Sequence, residues 1–325
     1  MTNLAVVSRQ RNPDGIRFSR KSGSPLPLPA VAEQAAAVTV ICVNYNGGAL
    51  LIDCVRSVLD STVPIRLVVS DNGSTDGSIA SLRDALGDDS RLVIVENGSN
   101  LGFAGACNAA LPSVIGEYCL FLNPDCLIRP DTVAKMCAVM ERHPESGIAG
   151  CVIRNPDGSE QAGCRRRIPD LWSGFGRAFG LDGFFRRIKR YSPVDMASEP
   201  LPPNTIEVEA ISGAFMFVRR SAMEIVGHLD DGYFLHCEDV DWCVRFRRKG
   251  FRVLFVPKAE ITHFKGVSSA ARPISVEWHK HRGMLRFYRK FLLDRYPFFV
   301  SWLVTAGIWL RFGMVAARRT LRRIL

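Results

Sequence analysis

The stretch VTVICVNYN, residues 38–46, decides the fold because a run of β-branched apolar residues passes directly into polar ones. Such a run predicts a buried strand. Three more apolar runs end in the same way: IRLVVSDN at 65–72, RLVIVEN at 91–97 and EYCLFLNPD at 117–125. After each run, the residues show a pattern typical of a helix, at 51–59, 78–86, 102–111 and 131–142. Strands that alternate with helices predict an α/β fold with a mostly parallel central sheet flanked by helices.

Polar side chains stand where these four strands end. They are Asn44, Asn46, Asp71, Asn72, Asn97 and Asp125. In parallel sheets ligands bind beyond the carboxyl ends of the strands, so we expect these side chains to converge on one crevice. Any one of them taken alone is more often a turn or helix-cap residue. Four strands with the same kind of ending favour a binding site.

Composition narrows the class of protein. The 325 residues are 47% hydrophobic and carry a formal net charge of +10. This composition excludes a disordered or fibrous chain and is enough for one large domain with appendages. The charge favours anionic partners: phosphate-bearing substrates, nucleic acid or an anionic membrane surface. Basic residues concentrate beside apolar ones near the C-terminus, which favours a membrane surface and argues against nucleic acid.

The ten cysteines form neither a C-x-x-C pair nor a zinc-site spacing. Several stand inside apolar runs, as Cys119 does in EYCLFLN. We therefore expect buried, reduced thiols that act as small hydrophobic residues, and a reducing compartment, the cytoplasm. No apolar segment follows the first charges of the chain, so no signal peptide is expected.

Two groups of side chains indicate chemistry. Asp125 ends an Asn-Pro-Asp turn after the fourth strand, where a carboxylate is able to hold a hard divalent cation and, through it, a diphosphate. Further along, Glu238, Asp239 and Asp241 place three carboxylates within four residues. A carboxylate whose pKa is raised by such neighbours is a candidate general base. The alternative is that these acids only cap the start of a helix.

Seven motifs, taken in order, resemble glycosyltransferase family 2, which has the GT-A fold, and in particular its rhamnosyltransferase-like branch. They are VNYN, SDNGSTDGS, NLGFAGACNAA, FLNPDC, SGAFMFVRRSA, GYFLHCEDVDWCVRFRRKGF and THFKGVS, and the resemblance runs from about Val38 to Ser269. Each motif is moderately specific, whereas their order and spacing together are highly specific. The resemblance implies a Rossmann-like nucleotide-diphospho-sugar transferase domain.

The resemblance also implies roles for matching positions. The nucleotide-sugar would be held by Val43, Asn44, Tyr45, Asn46, Asp71, Asn72, Asn100, Gly102, Phe103, Asn123 and Asp125. A divalent cation, Mg²⁺ or Mn²⁺, would bind Asp125 and His263, although the family's D-x-D motif begins here with Asn123. Asp239 matches the general base, and Glu238 stands beside it as a second catalytic carboxylate. The acceptor side would include Ser212, Gly213, Asp241 and Trp242.

The implied reaction is a direct displacement with inversion at the sugar. The base deprotonates an acceptor hydroxyl, which attacks the anomeric carbon opposite the departing nucleoside diphosphate. One carboxylate suffices because the leaving group needs charge stabilisation and not protonation. The branch favours L-rhamnose from dTDP-rhamnose, while galactose and N-acetylglucosamine stay open. The expected acceptor is a glycan or a polyprenyl-linked intermediate of a cell-surface polysaccharide.

The chain divides into three parts. We predict a flexible tail at residues 1–36 and the GT-A domain at residues 37–270. Within that domain we expect a nucleotide-sugar half at 37–130 and an acceptor and catalytic half at 131–270. Residues 271–325 are basic, amphipathic and apolar, and predict helices.

The N-terminal tail is expected to be dispensable for catalysis. Its composition cannot bury enough apolar surface to offset the entropy of ordering it. We therefore expect a chain that begins near Ala36 to retain its turnover number in a transfer assay. A loss of activity in a correctly folded shortened chain would contradict this expectation.

From the composition of the C-terminal segment we predict that the protein is cytoplasmic and associates peripherally with the inner face of the cell membrane. Residues 298–317 are mostly apolar but are interrupted by Arg311, so a complete span is marginal. The flanking Arg and Lys residues, with Trp302 and Trp309, suit an interfacial helix. The alternative is a helix that packs on the catalytic domain or forms a dimer contact. The oligomeric state is open.

Two other functions fit parts of the sequence. A nicotinamide-dependent oxidoreductase would carry G-x-G-x-x-G after the first strand, but residues 44–48 read Asn-Tyr-Asn-Gly-Gly. The second alternative is a non-catalytic relative that binds a nucleotide-sugar and acts as a scaffold in the same pathway. The presence of Asp125, Asp239 and His263 together argues against it.

Overall fold

A computed structural model of the protein describes residues 37–179, 193–264 and 273–324. Over these residues the chain forms a nine-stranded mixed sheet flanked by helices, together with a small two-stranded sheet. The predicted tail at 1–36, the last residues of the predicted GT-A domain at 265–270, and the stretch 180–192 lie outside the described residues.

The strands are β1 (Val38–Asn44), β2 (Ile65–Asp71), β3 (Leu92–Glu96), β4 (Tyr118–Leu122), β5 (Cys126–Ile128), β6 (Ser146–Arg154), β7 (Arg165–Arg166), β8 (Ile206–Glu207), β9 (Ala210–Ile211), β10 (Phe215–Arg219) and β11 (Arg252–His263). The large sheet has the order β3-β2-β1-β4-β10-β6-β11-β5, and β8 pairs with β11. The small sheet consists of β7 and β9.

The helices are α1 (Gly48–Leu59), α2 (Ser78–Leu86), α3 (Gly102–Ala110), α4 (Thr132–Arg142), α5 (Leu171–Phe179), α6 (Arg220–Val226), α7 (Glu238–Arg248), α8 (Pro273–Phe291) and α9 (Phe298–Ile324). The first three follow β1, β2 and β3 in turn, so the predicted alternation of strands and helices is confirmed.

Strand direction places the polar strand ends together. Strands β3, β2, β1 and β4 are parallel neighbours, and the register sets Asn44 beside Asp71. Strand β10 runs antiparallel between β4 and β6, and β11 is parallel to β6. The α/β class with a mainly parallel sheet is therefore confirmed, with antiparallel strands added in its second half.

The core lies on both faces of the sheet. All seven residues of β1 and all five of β4 are buried, which explains why their sequences are continuous apolar runs. Burying each such side chain stabilises the fold by about 1.5–3 kcal/mol. Eight of the ten cysteines are buried and all ten are free, so the predicted burial of the thiols is confirmed.

The two C-terminal helices pack along each other. Tyr288 Oη lies 3.1 Å from Ser301 Oγ, and the rings of Trp278 and Trp309 lie 4.8 Å apart. The opposite face of α9 stays uncovered: the stretch Phe298–Leu321 has a mean hydropathy of 1.6, and only 6% of it is buried in the protein. By length and composition alone this helix is able to cross a membrane.

Candidate functional site

Asn44 joins the ends of the first two strands through its side chain. This buried amide donates to Asp71 Oδ1 and to Ser74 Oγ, each at 2.9 Å. Asp71 Oδ2 in turn accepts from the backbone N–H groups of Gly73 and Ser74, at 3.1 and 3.0 Å. The predicted nucleotide-binding residues Asn44 and Asp71 therefore shape the loop at this edge, and their contact with a nucleotide stays a prediction.

Asn46 lies on the same loop in a left-handed conformation, with φ of 54°. Its Oδ1 accepts from the backbone N–H of Thr75 at 2.8 Å, which ties the ends of β1 and β2 together. In the same motif, Val43 is buried and Tyr45 is half-buried. The structure thus brings the four residues of the VNYN motif to one edge.

The start of α3 forms the neighbouring wall. Asn100 Oδ1 accepts from the backbone N–H of Gly102 at 2.9 Å, and Asn72 Nδ2 donates to the carbonyl of Gly102 at 3.1 Å. Gly102 has φ of 77°, and a Cβ there would collide with the backbone of Phe234. The N–H of Phe103 donates to the carbonyl of Phe234 at 2.8 Å. The α3 start is therefore fixed against the loop that precedes α7.

A cluster of possible metal ligands lies after β4. The ligand atoms of Asp125, Cys126 and His263 are all within 4.8 Å of one another, and all three residues are buried. His263 Nε2 lies 3.1 Å from Asp125 Oδ1. Strand β11 pairs with β5 at this point, so two strands distant in sequence bring the carboxylate and the imidazole together. The predicted pairing of Asp125 with His263 in space is observed.

The tautomer of His263 is set by its neighbours. Nδ1 lies 2.7 Å from Gln161 Oε1, an atom that only accepts, so Nδ1 carries the proton. Nε2 then faces Asp125 Oδ1 and, at 3.4 Å, the amide nitrogen of Asn123. A carboxylate oxygen and an imidazole nitrogen this close together are able to hold one cation jointly. This arrangement fits a divalent metal held by Asp125 and His263.

Cys126 is the third member of the cluster. Burial raises the pKa of its thiol, and the carboxylate of Asp125 raises it further, so the thiol stays protonated at neutral pH. Its Sγ lies 3.7 Å from the carbonyl of Ala214. An oxygen and an imidazole nitrogen, without a thiolate, suit Mn²⁺ or Mg²⁺ better than a soft metal.

The carboxylate of Asp239 is held by three donors. The guanidinium of Arg166 and the backbone N–H of Gly213, at 2.9 Å, donate to Oδ2, and the N–H of Val240 donates to Oδ1 at 2.8 Å. Burial alone would raise the pKa of Asp239, but Arg166 and the backbone donors together hold it below its usual value. Asp239 is therefore ionised at neutral pH.

Glu238 has the opposite character. Burial, together with the charge of Asp239, raises the pKa of Glu238 to about 8. Its Oε2 is buried and has no hydrogen-bond partner within the described part of the chain. The sequence predicted a raised pKa within this acidic cluster, and the structure assigns it to Glu238 and not to Asp239. Neighbouring groups whose pKa values are pushed apart are typical of acid–base sites.

The raised pKa of Glu238 has a consequence for stability. Between the ordinary glutamate range and about pH 8 the unfolded chain has lost a proton that the folded chain keeps, so the free energy of unfolding falls as pH rises. We expect the thermal unfolding midpoint of the wild type to fall across this window relative to that of Glu238→Gln. Parallel pH profiles for the two proteins would contradict a buried, neutral Glu238.

A short turn, residues 212–214, connects the metal-ligand cluster to Asp239. Gly213 donates its N–H to Asp239, and a Cβ at Gly213 would lie 3.3 Å from the Cβ of Asp239. The next carbonyl, that of Ala214, accepts from the N–H of Asn123 at 3.0 Å. Ser212 Oγ accepts from the N–H of Ala214 at 3.3 Å, which closes the turn. The predicted acceptor-side residues Ser212 and Gly213 therefore lie between the two halves of the site.

Two predicted acceptor-side residues lie elsewhere. Asp241 is fully buried and pairs with Arg245 Nε and Lys290 Nζ, each at 2.6 Å. Trp242 is also fully buried, and its ring packs edge-on against Phe121. The prediction that Asp241 and Trp242 face the acceptor does not fit this burial. Asp241 follows Asp239 by two residues, so the helical period of α7 turns it to the opposite side of the helix.

The loop before α7 is strained. His236 and Cys237 have φ of 69° and 75°, values that residues other than glycine rarely adopt. Such strain is kept where the surrounding structure fixes it, and it clusters at functional sites. Here it immediately precedes Glu238 and Asp239.

Sequence reasoning missed Arg166 and Gln161. Arg166 lies in the short strand β7, within a basic stretch that has no periodicity, and Gln161 is an unremarkable polar residue after a turn. Each reaches a partner far away along the chain, Asp239 and His263 respectively. The only hint in the sequence was the run of three arginines at 165–167.

Comparison with known sequences agrees with this geometry. The profile of the family described as "Glycosyl transferase family 2" matches residues 39–224. An N-acetylglucosaminyl-diphospho-decaprenol L-rhamnosyltransferase of Mycobacterium tuberculosis is 30% identical over 302 residues, which is 87% of this chain and 94% of the relative. Rhamnosyltransferase WbbL of Escherichia coli is 30% identical over 148 residues, 46% of this chain and 52% of that protein.

Solved structures share the fold. The mannosyltransferase PcManGT from Pyrobaculum calidifontis, in complex with GDP-Man and Mn²⁺, superposes with a TM-score of 0.54 at 19% identity, over 87% of this chain and 76% of that one. GalNAc-T7 with UDP, GalNAc and Mn²⁺ also gives a TM-score of 0.54, at 16% identity, over 79% of this chain and 48% of that one. The predicted GT-A fold is confirmed.

Proposed function

The chain belongs to glycosyltransferase family 2, on its rhamnosyltransferase-like branch, and from that premise we propose that it is an inverting, metal-dependent glycosyltransferase. It moves a sugar from a nucleotide-sugar to a hydroxyl of a glycan or lipid-linked acceptor in cell-wall polysaccharide synthesis. One observation carries the proposal: the 212–214 turn joins the Asp125–His263 cluster to the ionised Asp239.

The proposed metal site uses Asp125 and His263. A bound divalent cation stabilises the negative charge that develops on the departing diphosphate. Gln161 fixes the imidazole so that Nε2 faces Asp125, and Asn123 lies within reach of the same nitrogen. Asp125 and His263 would supply one carboxylate and one imidazole to the cation, which would then be free to bind the donor diphosphate as well.

Asp239 is the proposed base. It takes the proton of the acceptor hydroxyl as the new bond from that oxygen to the anomeric carbon forms. The bond from the anomeric carbon to the diphosphate oxygen breaks on the opposite side, and its electron pair leaves with the nucleoside diphosphate. Displacement from opposite sides inverts the sugar. The buried Nε of Arg166 and Oε2 of Glu238 have no hydrogen-bond partner among the described residues.

The proposed donor is dTDP-L-rhamnose, because the two named relatives are rhamnosyltransferases. The experiment is a panel of nucleotide-sugars tested with Mg²⁺ or Mn²⁺, with release of nucleoside diphosphate as the readout. Release from dTDP-rhamnose alone supports the proposal, and release from a different donor corrects only the sugar. No release from any donor, despite binding, would favour the alternative of a non-catalytic nucleotide-sugar-binding scaffold.

We propose further that α9 attaches the enzyme to the inner face of the cytoplasmic membrane, where a lipid-linked acceptor lies. Phe298, Trp302 and Leu303 are 80%, 76% and 68% exposed, so α9 presents a wide apolar face. Such a face, with Trp and basic residues around it, suits the membrane interface. Each basic residue near an anionic leaflet adds roughly 1 kcal/mol.

Fractionation tests the attachment. We expect the full chain to sediment with membranes and high salt to release it only in part, since salt does not screen apolar burial. A chain that ends near Asp294 should be soluble and should still glycosylate a short water-soluble acceptor. A full chain that is soluble and monodisperse at low salt without detergent would show that α9 is covered in another way.

A further inference from the structure

A groove between α5, α8 and α9 is not used by the reaction described above. It has a volume of about 460 Å³, within the usual range of ligand pockets, about 300–1,000 Å³. Its walls are side chains such as Trp172 of α5, Phe287 of α8 and Ile308 of α9. Asp170 and Arg311 are its two charged lining residues. Asp170 accepts from the N–H of Ser173 at 2.7 Å at the start of α5, and Arg311 lies 2.8 Å from His281. The groove therefore suits a hydrocarbon.

Part of the groove wall is formed by the start of α7 and the residue before it. Cys237 and Val240 both line it, and they flank Glu238 and Asp239 in sequence. Val240 also donates its N–H to Asp239. A ligand that fills the groove therefore lies against the segment of backbone that carries Glu238 and Asp239.

The outer end of the groove is continuous with the exposed face of α9. Leu303 lines the groove and is 68% exposed, and Trp172 on the opposite wall is 66% exposed. The same helix carries the long apolar stretch, of which only 6% is buried in the protein. The groove therefore joins an apolar surface suited to a membrane to the backbone segment that carries the proposed base.

We propose that this groove binds the first part of the hydrocarbon chain of a lipid-linked acceptor. The inference rests on the proposed function, and it assigns a binding site to the lipid of the proposed acceptor, an isoprenoid with a glycosylated phosphate head. The chain leaves the membrane along α9 and lies between α5 and α8, so that its head group reaches Asp239. Apolar burial along the groove then adds affinity for lipid-linked over soluble acceptors.

Two glycines of α9 provide a matched test. Gly307 lines the groove and Gly313 lies outside its lining, and a Cβ at either position meets no atom within 4 Å. Gly307→Phe fills the groove, whereas Gly313→Phe adds the same ring to the same helix elsewhere. Both changes raise the apolarity of α9 alike, so a difference between the variants reports occupancy of the groove.

Binding is measured first, by tryptophan fluorescence, because Trp172 lines the groove. The probe is farnesyl phosphate, and inorganic phosphate is the head-group control. We expect saturable binding of farnesyl phosphate by the wild type and by Gly313→Phe, and about 10- to 100-fold weaker binding by Gly307→Phe. Equal binding by both variants, or an equal response to inorganic phosphate, would overturn the proposal.

Transfer is measured second, with acceptors that share one glycosyl diphosphate head and carry either a polyprenyl or a short alkyl chain. We expect Gly307→Phe to raise KM for the polyprenyl acceptor at least about tenfold and to leave kcat on the short acceptor unchanged. If the short acceptor reacts and both variants treat the polyprenyl acceptor alike, the groove proposal fails and the proposed function stands. If farnesyl phosphate separates the variants but no acceptor is glycosylated, the proposed function fails and the groove stands.

Discussion

Replacement of Asp239 by asparagine is expected to lower kcat by about 10²–10⁴-fold and to leave nucleotide-sugar binding nearly unchanged. The amide has nearly the same shape as the carboxylate, but its single oxygen accepts from either Gly213 or Val240 and not from both, and it cannot take a proton. Because Arg166 keeps Asp239 ionised, the wild type has the base form available throughout the neutral range. Single-turnover transfer and an independent measurement of donor Kd separate the two effects.

Asp241→Asn is the matched control for that change. Asp241 is buried against Arg245 and Lys290, so its replacement leaves two cations with a weakened partner. We expect a lower thermal unfolding midpoint with kcat per folded molecule retained. The opposite pattern, in which Asp241→Asn abolishes transfer and Asp239→Asn does not, would move the base by two positions along α7.

Replacement of Asp125 by alanine is the second large effect. We expect transfer to fall by about 10²–10³-fold or more, because charge stabilisation on the leaving diphosphate is lost. Excess EDTA should do the same to the wild type, and added Mn²⁺ or Mg²⁺ should restore the wild type but not the variant. Release of nucleoside diphosphate and metal-dependent donor binding are the measurements.

Two further variants test the same metal site: Gln161→Leu should have a partial effect, and Asp131→Ala is the control that should have none. Gln161 holds the far side of the His263 imidazole through Oε1 and donates from its amide nitrogen to the His263 carbonyl and to Asn155, so its loss should weaken the metal affinity by about 10–100-fold and be overcome by more metal. Asp131 is an exposed carboxylate paired with Lys135, and its loss should change nothing. Full activity of the wild type in excess EDTA, or of Asp125→Ala, would refute a metal-dependent reaction.

The first half of the fold could be predicted from the sequence because its strands are long apolar runs with polar ends. Strand β6 was missed, since Gly147 and Gly150 interrupt its apolar pattern. Both glycines are needed there: a Cβ would press against Phe246 or Ile211. The antiparallel direction of β10 was also not predictable, because a pattern of residues indicates a strand but not which way it runs.

Site residues could be predicted from the sequence only where they belong to a family motif. Asp125, Asp239 and His263 each stand next to a strand or helix end and match a family motif. Arg166 is 73 residues from Asp239, and Gln161 is 102 residues from His263, so no local spacing connects them. Trp242 was predicted on the acceptor side and is buried in the structure, because an aromatic residue beside an acidic cluster is equally compatible with a core or a surface position.

The 212–214 turn has a consequence for how this chain is able to change in length. It links the Asp125 side of the site to Asp239 through backbone groups, Gly213 N–H on one side and the Ala214 carbonyl on the other. One inserted or deleted residue would shift these groups by up to about 3.8 Å, the spacing of successive Cα atoms. Catalytic groups tolerate displacements of only about 0.5 Å. The turn should therefore accept changes of side chain, Gly213 excepted, but no insertion or deletion.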